Sequence, residues 1–114
     1  MSVYSDLGDR FAMTDIERLE AEFDNDMRGI LEREAEAGLN STRFRQTIEQ
    51  YGGVKTAHRL LKPDRELPRD TFGYLRKIGR IDLTVEFYVV MEKYRALFSP
   101  PEREIAQGRL EKED

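Results

Sequence analysis

Apolar residues along this chain recur at steps of three and four, and the stretches between them carry the stop and start signals of helices. The segment 72–90 organises the rest. Phe72, Leu75 and Ile78 keep helical spacing and stop at Gly79, after which Asp82 and Thr84 are placed to accept hydrogen bonds from the free amides of a following helix. That helix carries Val85, Phe87, Tyr88, Val89, Val90 and Met91, the most apolar run in the chain. Two helices joined by so few residues form a corner, and a run apolar on nearly every side is buried on nearly every side.

Upstream, Thr14 with Glu17 three residues later makes a capping box, and Asp15, Glu17, Glu20 and Glu22 suit the positive end of a helix dipole. Ile16, Leu19, Phe23, Met27, Ile30 and Leu31 predict a helix over 15–37 with one apolar stripe, stopped at Gly38. Gly29 inside it costs ~1 kcal/mol relative to alanine and marks a bend or a close neighbour. Asn40, Ser41 and Thr42 offer caps for a second helix through Tyr51, with Phe44, Ile48 and Tyr51 facing inward, and Gly52 and Gly53 end it. A third helix is expected over 54–62, ended by Pro63, and the proline-bearing, charged stretch 63–70 is an exposed connection.

Beyond the corner, residues 92–98 continue or restart a helix with Tyr94, Leu97 and Phe98 inward. Ser99 is the next N-cap, Pro100 takes the first helical position, Glu102 completes a second capping box, and Ile105, Ala106 and Leu110 give the last helix its apolar face. Residues 1–13 show no period and are expected to be a flexible lead-in. No segment alternates. The expectation is an all-α, compact multi-helix domain of five to seven helices, its long N-terminal helix packed on a short-helix module. The single helical domain spans 14–110, with a module core at 51–110 and a charged tail at 111–114.

Composition narrows the setting. At 114 residues, 39% hydrophobic and without cysteine, the chain suits one domain with a modest core and no disulfide framework, and a cytoplasmic home is expected. No window approaches the ~20 apolar residues that span a bilayer, and residues 1–10 lack the order of a secretion signal. The net charge of −4 is unevenly placed. Residues 1–41 hold four basic and eleven acidic side chains, residues 42–80 ten and four, and residues 81–114 five and eight, so the middle third is locally basic inside an acidic protein.

Few patterns suggest chemistry. Lys55, Arg59 and Lys62 share one face of the third helix, with Val54, Ala57 and Leu61 roughly opposite. Preceded by a helix and a glycine turn, this has the outline of a helix-turn-helix over 42–62, with Arg43, Arg45, Arg65 and Arg69 available for phosphates. A solvated face on a small helix is the plainer reading and is preferred. Arg80, Asp82 and Glu86 flank the corner, where Asp82 is expected to cap a helix and Arg80 to bridge to Glu86 or to nearby carbonyls; a polar site there is the less favoured alternative. His58 has no carboxylate three or four residues on, so no metal site is expected around it, and Asp64 with Glu66 lacks the context of a nuclease metal pair. Catalytic triads, cysteine nucleophiles and phosphate-cradling loops are absent from the sequence, and no catalytic residue, metal or cofactor is assigned.

Three groups of residues carry a resemblance. Tyr51, Gly52, Gly53, Val54, Ala57, Arg59, Leu60 and Leu61 come first. Phe72, Leu75, Gly79, Arg80, Asp82, Leu83, Thr84, Val85 and Glu86 follow, and Leu97, Phe98, Glu102, Ala106, Arg109 and Leu110 close the set. Together they resemble a helical module of small bacterial proteins, in which a Gly-Gly-Val turn leads to an Arg-Leu-Leu helix, a Phe-x-x-Leu helix ends in Gly-Arg-x-Asp-Leu-Thr-Val-Glu, and Leu-Phe-x-x-Glu closes the unit. The resemblance covers residues 51–110 and implies a shared fold and a cytoplasmic, bacterial origin, extending to mobile elements. The family has no assigned activity, and the resemblance brings no catalytic residues. The acidic first helix and the connection 63–70 depart from the pattern.

The functional expectation is a non-enzymatic interaction module acting by protein-protein binding or self-association, through a partner face of Ile16, Leu19, Phe23, Met27 and Ile30. That stripe completing the domain's own core is the plainer reading and is slightly preferred. The alternative function is that of a nucleic-acid-binding accessory or regulatory protein, using the helix-turn-helix-like segment 42–62 through Arg43, Arg45, Lys55, Arg59 and Lys62. No membrane association and no small-molecule substrate are expected. Gly79, Arg80, Asp82, Thr84 and Glu86 are expected to form the structural corner.

Overall fold

The computed structural model describes residues 14–62 and 74–111, and among them every regular element is helical. Thr14 starts α1 (Asp15–Glu36) through the capping box: its Oγ1 accepts from the Glu17 amide at 3.1 Å and its own amide donates to Glu17 Oε1 at 3.3 Å. At the other end the Gly38 and Leu39 amides donate back to the carbonyls of Ala35 and Glu34, closing the last turn. Phe23, Met27, Ile30 and Leu31 are buried, and the Phe23 ring meets those of Tyr94 and Phe98 with centroids 5.0 Å away. The long helix is thus the spine of the core.

Helix α2 (Thr42–Tyr51) buries Ile48 and half-buries Phe44 and Tyr51. Ser41 precedes it without capping it, because its hydroxyl donates instead to Glu34 at 2.8 Å. Helix α3 (Gly53–Leu60) starts one residue earlier and ends two residues earlier than its apolar pattern suggests. The reason for the start is contact with α1. A Cβ on Gly53 would lie 2.7 Å from the Asp24 Cα, and the Gly53 amide donates to Asp24 Oδ1 at 2.8 Å. Only glycine lets the two backbones come this close, and the carboxylate of one helix caps the start of the other. Burial pushes the Asp24 carboxyl up, but hydrogen bonds from Arg28 and the Gly53 amide outweigh it and hold it below the usual carboxylate range.

At the corner, residues 74–77 are helical and Leu75 is buried, whereas Ile78 is 42% exposed, so the expected inward stripe carries one residue outward. Phe72 lies outside the described residues. Gly79 has φ 72°; its amide donates to the Arg76 carbonyl at 3.1 Å and the Arg80 amide to that of Leu75 at 2.8 Å. This is the left-handed stop in which a Cβ would be strained.

The next helix does not begin at once. A 3-10 turn (Ile81–Leu83) intervenes, and Thr84 rather than Asp82 caps α4 (Val85–Val89), its Oγ1 accepting from the Phe87 amide at 3.3 Å. Asp82 is drawn away by Arg80, whose Nε and Nη2 donate to it at 3.1 and 3.2 Å. Arg80 therefore does not bridge to Glu86. The apolar run gives only five helical residues before extended backbone at Met91, consistent with β-branched Val85, Val89 and Val90 having little intrinsic preference for helix. Val85, Tyr88 and Val89 are nonetheless buried.

A 3-10 segment (Glu92–Leu97) then presents Tyr94 and Leu97, and Phe98 follows, all buried. Ser99 and Glu102 form the second capping box at α5 (Pro100–Glu111). Helix α1 lies against α2, α3, α4 and both 3-10 pieces, and α5 packs on α4. The arrangement is the expected all-α multi-helix domain.

Candidate interaction surfaces

Inside the domain, charged and polar side chains close on one another as ties between elements. Glu86, 2% exposed, accepts from Arg109 Nη1 at 3.1 Å, and the same nitrogen donates to the Leu60 carbonyl at 2.6 Å, so one pair joins the end of α3 to α4 and α5. His58 on α3 pairs with Glu102 on α5. Burial pushes the Glu102 carboxyl up, but His58 and the Ser99 amide outweigh it and hold it below its ordinary value. Arg33 donates to the Tyr88 hydroxyl and stands 3.7 Å from Asp82, and the Tyr94 hydroxyl donates to Asp26. Burial and the Asp26 carboxylate both push the Tyr94 phenol up. No group of three or more His, Cys, Asp or Glu among the described residues could hold a metal ion.

The first candidate surface is the start of α1. Its apolar stripe does not end where the core ends. Phe23, Met27 and Ile30 are consumed by the interior, so the expected partner face is corrected for those three: packed on Tyr94, Phe98 and their neighbours, they offer nothing outward. Leu19 is half-buried and Ile16 is 45% exposed, with Asp15, Glu17, Glu20 and Glu22 exposed around them. On the first turn of α1, Ile16 therefore stands beyond the core, whereas Leu19 packs against the core's edge.

A second charged region lies on α2, on α3 and just past the end of α3. Arg43, Arg45, Lys55, Arg59 and Lys62 are all exposed, while Thr56, Ala57 and Leu61 face the core. Between 42 and 62 the only acidic residue is Glu49. The Arg59 guanidinium lies over the Tyr51 ring, 4.0 Å from its centroid, an aromatic support that the inward reading of Tyr51 missed and that exists because the turn at Gly52 folds α3 against α2. Arg65, Arg69, Asp64 and Glu66 lie outside the described residues.

The corner residues complete the account. Gly79 and Thr84 shape the chain, Arg80 and Asp82 pair with each other, and Glu86 is committed to Arg109. Among the described residues no helix is long and apolar enough to cross a membrane. No protein-family model matches the chain, nor does any curated protein or solved structure.

Proposed function

We propose that this chain is a non-enzymatic interaction module that works by binding another protein through the first two turns of α1. One observation carries the reading: Ile16, the outermost residue of the apolar stripe, is 45% exposed within an acidic rim, next to Leu19 at the core's edge. An apolar edge continuous with a core stripe, set among charges, is how amphipathic helices present anchors to a groove or a facing helix. The bacterial, cytoplasmic setting implied by the motif resemblance belongs to the same proposal.

A photo-crosslinking side chain at position 16, introduced into the chain in its source cell, should trap a protein adduct of one defined mass. Excess unlabelled chain should abolish that adduct, and excess Ile16→Glu chain should not. The proposal fails if no adduct forms, or if the same adduct forms with the crosslinker at Gln107 on the exposed side of α5.

A further inference from the structure

We infer that the α2 and α3 surface binds the phosphate backbone of duplex nucleic acid without reading its sequence. This is a second activity, on a different surface from the α1 overhang. Five exposed cations against one acid are concentrated in 21 residues of a chain whose overall charge is negative. Arg43, Lys55 and Lys62 have no ion-pair partner in the described structure, Arg45 is near enough to Glu34 to draw its carboxyl downward, and Arg59 rests on the Tyr51 ring. Three cations without ion-pair partners, and a fourth held on an aromatic ring, are suited to a partner that carries the negative charge.

The packing of α3 decides which kind of contact is made. A recognition helix inserts its N-terminal residues into the major groove. Here that end is occupied: the Gly53 amide is held by Asp24, and the backbone at Gly53 lies against α1 with no room for a Cβ. Thr56 and Ala57 face the core, which leaves Lys55 and Arg59 as the outward part of α3, with exposed Lys62 two residues past its end. Long cationic side chains on the flank of a helix reach phosphates, and phosphate contacts position a protein without specifying bases. The aromatic support under Arg59 restrains its guanidinium, so less freedom is lost when it meets a phosphate.

Fluorescence anisotropy of the whole chain with two 20-base-pair DNA duplexes of unrelated sequence tests this. Binding should be equal within about threefold for the two, and about a hundredfold weaker at 200 mM than at 50 mM salt, as four released counterions require. Lys55→Glu with Arg59→Glu should weaken binding by at least tenfold at 50 mM salt and lower the salt slope by about two. Arg43→Gln with Lys62→Gln should lower the slope similarly, and unchanged far-ultraviolet circular dichroism confirms that either pair leaves the fold intact. The inference is overturned by no anisotropy change at low salt, by charge reversal without loss of affinity in a folded chain, or by a large preference between the duplexes. Salt-sensitive dimers in light scattering without DNA binding would also overturn it, assigning the basic face to the acidic α1 of a second copy.

Discussion

Among the described residues two glutamates are removed from water, and their surroundings differ in a way that separates a structural tie from a tolerated cost. Glu86 sits in the first turn of α4, paired with Arg109, which also holds the Leu60 carbonyl. Glu34, near the end of α1 and 4% exposed, has only the Ser41 hydroxyl as a direct donor, and its Oε1 has no partner. Burial pushes both carboxyls up; the Arg109 guanidinium opposes the shift at Glu86, and Ser41 and Arg45 oppose it at Glu34. A buried charge with a full hydrogen-bonded partner joins elements, whereas one with half its acceptors unmet mainly bears the cost of leaving water. The first was built from three segments of chain, the second from the two ends of one connection.

Breaking the better-satisfied pair should have the largest effect. Arg109→Met leaves Glu86 charged and unpartnered in the core and frees the Leu60 carbonyl, for an expected loss of about 3–5 kcal/mol at pH 7 in urea denaturation. The pH dependence identifies the cause. A carboxyl whose pKa is raised by folding binds its proton more readily in the native state, so stability is gained as pH falls through the folded value and is complete below the ordinary 4.5. The deficit of the variant should therefore shrink as pH falls from 7 to 4. An equal deficit at both would mean that lost packing of the arginine, and not the stranded carboxylate, sets the cost.

Neither glutamate could have been assigned its surroundings from the sequence, although much around them could. Thr14 with Glu17, Ser99 with Glu102, and the stops at Gly38 and Gly79 were legible because each signal and its effect lie within a few residues. The inward faces at Phe23, Met27, Tyr94 and Phe98 were legible because burial follows helical spacing. Pairings across the fold were not: His58 lacks a carboxylate on its own helix and takes Glu102 from α5, and Arg33 on α1 reaches Tyr88 and Asp82 at the corner. An arginine at 109, three residues after the buried Ala106, was the one local sign that the last helix turns a charge inward. The basic stripe on α3 was readable because solvent exposure follows the same spacing. The stripe on α1 looked alike whether it faced a partner or the core, and tertiary packing alone divided Ile16 from Phe23.

A smaller loss is expected at the second glutamate when its only donor is removed. Ser41→Ala strips Glu34 of its hydrogen bond without touching the helix cap, since Ser41 makes none. The loss should be about 1–2 kcal/mol at pH 7, limited because Glu34 can take up a proton as its pKa rises further. If the cost equals that of Arg109→Met, the two sites do not differ as their contacts imply.

The smallest effect should have the opposite sign. Glu34→Met keeps an unbranched side chain of similar length and good helix preference, and removes a carboxylate that its surroundings only half satisfy. At pH 7 the variant should be more stable than the parent by up to about 1 kcal/mol, because the parent bears the cost of a desolvated charge and the variant does not. Since burial raises the carboxyl, the parent recovers as pH falls through that raised value, and below the ordinary 4.5 the advantage should vanish. Paired denaturation curves at pH 7 and pH 4 read the difference directly, because every other titrating group is common to both chains. A variant less stable than the parent at pH 7 would show that Ser41 and Arg45 compensate Glu34 fully, making it, like Glu86, a tie between elements.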